Sequence, residues 1–525
     1  MYLNDKILIA KNNEKEIYLI PKMANRHGII TGASGSGKTI TLKVLAESFS
    51  NAGVPVFMVD VKGDLAATCV RGIENENVKS RVEKMGLADF KFTEFPVTFF
   101  DVYGEKGHPI RTTISNLGPR LLSRMLDLSE AQEGVLAIVF QIAEDEGKEL
   151  INLQDLKTIL NYVGEKRNEY SLKYGNISIQ SIGGIQRNLL ILSQEGGEHF
   201  FGEPAFNLRD FIRFSSTNGF GYINILDAQE LFKKPNLYAT FMLWLLTDMY
   251  NIMPEVGDLS KPRIVMFFDE AHLLFNEMPA NLIRQIIQIV KLIRSKGVGV
   301  YFISQSPSDV PDEILSQLGN KIQHVLRAYT PSDEKAIKAA ANAFRSNPAF
   351  NTADAIRNLA TGEALVSMLD EKGEPTIVEK AKILPPQSMM GALDDTMRKT
   401  VILESQLYMK YEETVDRESA HEKINKLNEE ARKIKEEEEL AKHKAKEEAE
   451  LAKQKEKEAK ELARQEKEAA KIKAQKEKEE ARKAKEEEKA RKNSVGYKLG
   501  KKVVNKTTDK LINKGLNSIL KGLFK

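Results

Sequence analysis

Short runs of consecutive apolar residues alternate with longer segments of helical periodicity from the start of the chain to about residue 390. Runs such as "VPVFMVDV", "RIVMFFDEAH" and "VGVYFISQS" show little alternation of apolar and polar positions, which is typical of strands buried on both faces of a sheet. Between the runs, segments such as "TITLKVLAESFSNAG" and "ANLIRQIIQIVKLIRSKG" place apolar residues three and four apart, as in a helix. The pattern predicts an α/β domain over residues 1–390 with a mostly parallel central sheet.

The pattern changes at both ends and in the middle of this domain. "KILIA" and "EIYLI" predict a hairpin at the start, and "GEALVSMLD" and "PTIVEKAKIL" predict two closing strands. From about 114 to 214 the periodicity is mostly helical, so we expect a helical insert within the α/β domain. Inside the insert, "SLKYGNISIQSIGGI" is predicted to be a loop.

Large apolar residues become scarce beyond about Leu403, and Lys, Glu and Ala dominate as far as residue 492. These helix formers predict a long charged helix over residues 403–492. Apolar residues follow a heptad near its start, at Ile424, Leu427, Ala431, Ile434, Ala441 and Ala445. The tract is therefore expected to form either a solvated helical spacer or a homotypic coiled coil.

Residues 493–525 form a last segment, in which an apolar stripe returns on a strongly basic background. Val504, Leu511 and Leu516 belong to the stripe, and Asp509 is the only acidic residue of the segment. A basic amphipathic helix can dock in a protein groove or lie on an anionic membrane surface. The residues alone leave both kinds of partner open.

Composition and charge restrict the classes of protein further. A single cysteine, Cys69, allows no disulfide within the chain, which suits a reducing compartment. The formal net charge of +3 is too small to argue for nucleic-acid or membrane binding. No run approaches the roughly 18 apolar residues that span a bilayer, and the N-terminus lacks the apolar region of a signal peptide. We therefore expect a cytoplasmic protein.

The run "GASGSGKT", from Gly32 to Thr39, matches the phosphate-loop pattern between a predicted strand and a predicted helix. Glycines let successive backbone N–H groups face phosphate oxygens at the helix N-terminus. Lys38 is expected to reach the β- and γ-phosphates, and the Thr39 hydroxyl to bind Mg²⁺. The predicted nucleotide-binding residues are Gly32, Ala33, Ser34, Gly35, Ser36, Gly37, Lys38, Thr39 and Ile40.

The strand "IVMFF" leads into two carboxylates, Asp269 and Glu270. Asp269 is predicted to hold the Mg²⁺, directly or through water, and Glu270 to polarise the attacking water. The alternative is that the pair only caps the next helix. One strand later, Gln305 is predicted to sense the γ-phosphate, because ligands bind at the carboxyl edge of a parallel sheet. There the alternative is a polar residue that merely leaves the strand.

Several other nucleotide-dependent classes do not fit these residues. A GTPase switch requires a guanine-selecting Asn-Lys-x-Asp after a strand, and the domain has none at the right place. Small-molecule kinases are usually far shorter and lack the Glu after the strand Asp. A transporter ATPase requires an LSGGQ-like signature, which is also missing. The residues therefore predict a water-activating ATPase that uses ATP and Mg²⁺.

The stretches "HGIITGASGSGKT", "VFMVDVKGDL", "IVMFFDEAHLLF", "VGVYFISQSPSDVPDEIL" and "LRAYTPSDEKA" together resemble the HerA–FtsK superfamily of P-loop ATPases. "FFGEP" in the insert resembles the YjgR-like branch with a HerA-type C-terminal domain. The resemblance covers about residues 1–390 and implies a RecA-like fold, ATP with Mg²⁺, and a hexameric ring that moves or remodels DNA. In such rings a neighbouring subunit supplies an arginine finger, for which Arg327 is the best match and Arg294 the second.

Two functions of different classes follow from the sequence. The first is an ATP-hydrolysing motor, a ring-forming DNA translocase or helicase-like ATPase. The second is a nucleotide-gated assembly scaffold whose C-terminal tail binds a protein partner or a membrane surface. A motor predicts strong stimulation of hydrolysis by a polymeric track. A scaffold predicts slow, unstimulated turnover and assembly that depends on nucleotide.

Overall fold

The structure, a computed structural model, describes residues 1–257, 259–276 and 280–492. The chain divides into two units, Met1–Asn428 and Glu429–Lys525. The basic amphipathic segment predicted at 493–525 lies outside the described residues. Across the part of the chain that is described, no helix is long and apolar enough to cross a membrane.

One mixed sheet organises the first unit. Its strands within the described residues are β1 (Tyr2–Leu3), β2 (Lys6–Lys11), β3 (Glu16–Leu19), β4 (Gly28–Thr31), β5 (Val56–Asp60), β6 (Val97–Asp101), β7 (His108–Pro109), β8 (Ile223–Asp227), β9 (Ile264–Phe268), β10 (Val298–Ser304), β11 (Asn320–Gln323), β12 (Glu363–Ser367) and β13 (Glu379–Ile383). They lie in the order β1-β2-β13-β12-β11-β4-β10-β9-β5-β8-β6-β7, and β3 pairs with β2. From β11 to β7 all neighbours are parallel, whereas β12, β13 and the N-terminal hairpin close one side with antiparallel pairs.

Helices cover the sheet and form the insert. Those among the described residues are α1 (Lys38–Asn51), α2 (Glu76–Met85), α3 (Ile114–Met125), α4 (Glu130–Asp145), α5 (Leu153–Glu165), α6 (Arg167–Tyr174), α7 (Ile179–Gln194), α8 (Gly197–Phe200), α9 (Pro235–Ile252), α10 (Ala271–Asn276), α11 (Ala280–Ile293), α12 (Asp312–Leu315), α13 (Pro331–Asn342), α14 (Thr352–Arg357), α15 (Asp395–Leu403) and α16 (Ala420–Lys492). The predicted fold class is confirmed as α/β, with a mostly parallel sheet, a helical insert and a long charged C-terminal helix.

Burial on both faces explains why the central strands read as continuous apolar runs. All five residues of β5 and of β9, and all seven of β10, are buried. The core on one face includes Leu45 and Phe49 of α1, and the core on the other includes residues of α9, α11 and the insert helices. A strand between two packed layers has no solvent-facing positions, so alternation disappears.

The predicted loop in the insert is wrong over most of its length. Helix α6 runs to Tyr174 and α7 begins at Ile179, so only a short connection separates two helices. The α7 helix contains Gly183 and Gly184, which weaken its helical signal in the sequence. Its buried face, with Ile182, Ile185 and Leu189, packs into the core of the insert and stabilises the helix.

The long helix begins at Ala420 rather than near residue 403, and the first unit continues to Asn428 rather than ending near residue 390. Between α15 and α16, the Tyr411 side chain is buried to 2% exposure. Its ring lies 4.8 Å from that of Phe206, and its hydroxyl donates a hydrogen bond to Asp210. Arg417 pairs with Glu203 at 2.7 Å. These contacts hold residues 404–419 against the insert.

The second unit, described by itself, contains the greater part of α16. Its side chains are exposed from residue 429 to residue 490. Leu440, Leu451 and Leu462, each eleven residues apart, are 55 to 62% exposed. Such leucines on a charged helix suit either a solvated spacer or a partner helix, so the coiled coil stays a prediction.

Close packing around β4 leads to a prediction about stability. A Cβ atom at Gly28 would lie 2.4 Å from the Tyr301 ring and 2.9 Å from the Asn320 carbonyl oxygen. We expect Gly28→Ala to lower the free energy of unfolding by about 1–3 kcal/mol, because the buried strand cannot move aside. Urea denaturation followed by circular dichroism measures this.

The matched control is Gly134→Ala in α4, where a Cβ would meet no atom within 4 Å. Since alanine favours a helix, this substitution is expected to raise stability by roughly 0.5–1 kcal/mol. Equal effects of the two substitutions would contradict the packing described for β4.

Candidate nucleotide-binding site

The phosphate loop connects β4 to α1 and owes its shape to glycines. Gly32 has φ +155° and Gly37, directly before α1, has φ +112°. Both values lie in the region that side chains rarely adopt. A Cβ at Gly32 would also lie 2.5 Å from Cβ of His324. The loop therefore needs glycine at these positions both for its backbone and for its packing.

His324 packs against the phosphate loop. Sequence analysis did not predict a role for this residue. Its backbone N–H donates to Thr31 O at 2.7 Å, and its Nδ1 lies 2.9 Å from Glu363 O. Because a carbonyl only accepts, Nδ1 carries the proton and Nε2 accepts from the Thr41 hydroxyl at 2.8 Å. Burial lowers the pKa of His324 to about 4, so the ring is neutral and joins β11 to the first turns of α1.

Lys38 folds over the loop that precedes it. Its ammonium donates to Gly32 O at 2.7 Å and to Ala33 O at 3.2 Å. The side chain is 7% exposed, and burial lowers the pKa of Lys38, with Glu270 opposing the shift. Thr39 is partly buried in the first turn of α1, and Ile40 packs against the core on that face.

Asp269 and Glu270 follow β9 and are almost completely buried, at 3% and 5% exposure. Asp269 Oδ1 accepts the backbone N–H of Glu270 at 2.9 Å. Glu270 has φ +50°, a strained conformation for a residue with a side chain and one that is common at functional sites. Burial, with the Glu270 carboxylate adding, raises the pKa of Asp269 to about 7.

Lys62 completes the site, and sequence reasoning missed it. It follows β5, the strand that pairs in parallel with β9, and its ammonium forms an ion pair with Glu270 Oε1. Burial opposes ionisation of Glu270, but Lys62 is the main group that holds the pKa of Glu270 below its usual range. The available signal was a charged residue two positions after a buried strand, in "VKGD".

Several buried polar atoms near the loop have no hydrogen-bond partner among the described residues: Ser36 Oγ, Asp64 Oδ1, Glu270 Oε2 and His272 Nδ1. The last two lie 3.3 Å apart, but their orientation does not form a hydrogen bond. Buried polar atoms without partners are costly and rare. Their concentration around a phosphate loop indicates a site that a polar ligand completes.

The donor atoms of this site fit Mg²⁺. Thr39 and Asp269 offer a hydroxyl and a carboxylate, which are the hard oxygen donors that Mg²⁺ prefers. Within the described ranges, no group of three or more His, Cys, Asp or Glu side chains could hold a metal ion. A site with one or two protein oxygens is the kind in which Mg²⁺ also binds nucleotide phosphates and water.

Gln305 and Arg327 both lie beside the phosphate loop, where they line one cavity. A cavity of about 570 Å³ is lined by both residues together with Ala33, Ser34 and the exposed Tyr329. The structure therefore brings Gln305 to the phosphate loop, as expected for a residue that follows β10. It also brings Arg327 to the phosphate loop of its own chain.

Arg294 lies at the opposite edge of the sheet. It is exposed, in a 3₁₀ turn (Arg294–Lys296) directly before β10 begins at Val298. The carboxyl end of β10, where Ser304 pairs with Thr31, is the end that faces the phosphate loop. The two candidate arginines therefore occupy opposite edges, and only Arg327 lies near the site of its own chain.

A phosphate loop after one parallel strand and an acidic pair after another, with a single strand between them, define a P-loop NTPase. The chain belongs to the family described as "Helicase HerA-like C-terminal", which matches residues 5–518.

Individual relatives are distant. The chain is 23% identical over 350 residues to "Probable helicase MJ1565" of Methanocaldococcus jannaschii, covering 66% of this chain and 60% of that protein. It is 23% identical over 369 residues to "DNA double-strand break repair helicase HerA" of Sulfolobus acidocaldarius, covering 68% and 65%. The chain thus spans less than two thirds of each relative.

Among solved structures, the plasmid coupling protein TrwB in complex with a non-hydrolysable GTP analogue is similar, with a TM-score of 0.49 and 13% identity. That likeness covers 72% of this chain and 90% of TrwB.

The buried Asp269 leads to a prediction about pH. Because its pKa is raised from 3.8 to about 7, the folded state holds a proton that the unfolded state releases. Stability is therefore lost as pH rises from about 4 to about 7, by up to about 4 kcal/mol. We expect Asp269→Asn to remove this loss, measured by urea unfolding in EDTA at pH 5 and pH 8. Identical pH dependence of the two proteins would contradict the assignment.

Proposed function

We propose that this protein hydrolyses ATP with Mg²⁺ and that hydrolysis drives a DNA translocase or helicase-like motor. The observation that carries the proposal is the buried Glu270 carboxylate beside the phosphate loop, one oxygen of which makes no hydrogen bond within the described residues. The family description and the helicase names of the relatives support DNA as the track. The net charge of +3 gives no independent support for DNA.

Each residue of the site has a role in this proposal. Lys38 and the loop N–H groups bind the β- and γ-phosphates, and Thr39 with Asp269 hold Mg²⁺, which neutralises phosphate charge. Glu270 accepts a proton from the water that attacks the γ-phosphorus, while the bond from that phosphorus to the β–γ bridging oxygen breaks. Gln305 contacts the γ-phosphate from the carboxyl end of β10 and responds to its loss.

Assembly into a ring is part of the proposal, with six subunits by resemblance. A neighbour's arginine must reach the γ-phosphate, so it has to lie away from the loop of its own chain. The position of Arg294 at the far edge of the sheet supports it as that residue. Arg327, beside Ala33 and Ser34, is proposed to act on the nucleotide of its own chain.

A nucleotide-gated scaffold is the second candidate. The observation that favours it is α16, with Leu440, Leu451 and Leu462 exposed at intervals of eleven residues. A helix of this kind suits assembly through its length. Residues 493–525 are proposed to bind a protein partner or a membrane surface in that case.

Steady-state hydrolysis separates the two functions. We expect ATP turnover to rise tenfold or more when double-stranded DNA is added. A tenfold rise corresponds to an activation free energy lower by about 1.4 kcal/mol. Glu270→Gln is expected to abolish turnover while leaving binding of a fluorescent ATP analogue within about threefold, because the substitution removes only the proton acceptor. Lys38→Ala is expected to lose binding as well. Turnover indifferent to every DNA and RNA tested would favour the scaffold.

Mixing of variants tests which arginine acts between subunits. Arg294→Ala should lower kcat by about 10³-fold or more, because the transition-state charge loses a cation. Adding Lys38→Ala protein to Arg294→Ala protein should restore part of the activity, since a site with an intact loop then faces an intact Arg294. The same mixture made with Arg327→Ala should recover nothing. Recovery with Arg327→Ala instead would reverse the assignment.

A further inference from the structure

The two oxygens of the Glu270 carboxylate have different surroundings. Oε1 forms an ion pair with Lys62, whereas Oε2 is buried and has no hydrogen-bond partner. The backbone at Glu270 has φ +50°, and its N–H donates to Asp269 Oδ1 at 2.9 Å. One oxygen is therefore held by Lys62, whereas the other makes no hydrogen bond within the described residues, although His272 Nδ1 lies 3.3 Å from it.

The backbone that carries Lys62 is fixed. The Asp60 carboxylate accepts the N–H groups of Lys62 at 3.3 Å, Gly63 at 2.7 Å and Leu65 at 3.1 Å. Gly63 has φ +80°, and a Cβ there would lie 2.5 Å from the Gln229 amide. A loop with this many backbone contacts gives the lysine a defined starting point at the end of β5.

Lys62 reaches a buried carboxylate from the solvent side. Its side chain is 49% exposed, compared with 7% for Glu270. Exposed ion pairs of flexible lysines contribute little to stability, about 0–1 kcal/mol. The ion pair therefore contributes little to the stability of the fold. Its main consequence is the orientation of the Glu270 carboxylate.

We propose that Lys62 is a positioning residue for ATP hydrolysis: it holds Oε1 of Glu270 so that Oε2 faces the attacking water. This inference rests on the proposed ATPase function. Lys62 touches neither water nor nucleotide in this role and acts only through Glu270. A blocking role, in which the pair keeps Glu270 from the water, would have the opposite effect on turnover.

The test compares kcat and KM for ATP in the full-length wild type, Lys62→Met and Lys62→Arg. We expect Lys62→Met to lower kcat by about 10–100-fold with KM within about threefold, because binding does not depend on Glu270. Lys62→Arg should recover kcat to within about fivefold of wild type. The control is Lys15→Met, which removes an exposed lysine that pairs with Glu379 at 2.5 Å on the edge hairpin and should leave both constants unchanged.

A double variant distinguishes a positioning role of Lys62 from a purely structural role. In the Glu270→Gln background, Lys62→Met should cause no further fall in the residual rate, because Lys62 acts through the missing carboxylate. Unfolding midpoints and the affinity for a fluorescent ATP analogue are measured alongside, and Lys62→Gln replaces Lys62→Met if the latter does not fold.

The outcomes separate this inference from the proposed function. A kcat of Lys62→Met equal to or above wild type, or an equal fall in the Glu270→Gln background, overturns the role of Lys62 while leaving the ATPase intact. Wild-type protein without hydrolysis overturns the ATPase and the role of Lys62 with it, whereas hydrolysis that is unaffected by Glu270→Gln overturns the roles of Glu270 and Lys62 but not the ATPase.

Discussion

The site depends on the parallel register of four neighbouring strands, β4, β10, β9 and β5. Thr31 pairs with Ser304, and Phe268 pairs with both Phe302 and Val59. Because their carboxyl ends meet at one edge, the chain segments that follow these strands deliver the phosphate loop, the glutamine, the acidic pair and the lysine to one place. A slip of one residue in any pairing would turn that strand's side chains to the other face and separate these groups.

Burial makes the charges at this edge interdependent. Asp269 and Glu270 are adjacent carboxylates, and Lys38 and Lys62 each influence the ionisation of Glu270. With little water to screen them, a change in one group alters the ionisation of the others. Effects of substitutions here therefore describe the cluster rather than single residues. Binding of a polyanion and a divalent cation would redistribute charge across the whole cluster.

The parts of the site that the sequence predicted are those encoded by neighbouring residues. The phosphate loop and the acidic pair each lie within a strand and the turn after it, so a local pattern contains them. Lys62 and Glu270 are 208 residues apart, and Thr41 and His324 are 283 apart, so neither contact has a local signal. The role of Arg327 between subunits was implied only by the family resemblance, and it stays a prediction; the structure shows this arginine lining a cavity beside the phosphate loop of its own chain.

The boundary of the first unit was also not predicted from the sequence. Residues 404–419 are mostly polar, so their pattern did not indicate that they pack against the insert. Tyr411 lies against Phe206 of the insert, and Ala420 and Ile424 at the start of α16 are fully buried. The first turns of α16 therefore belong to the core of the first unit. A version of this protein cut at residue 390 would lose Tyr411 and expose the Phe206 ring that it covers, so residues 404–428 are part of the first folding unit.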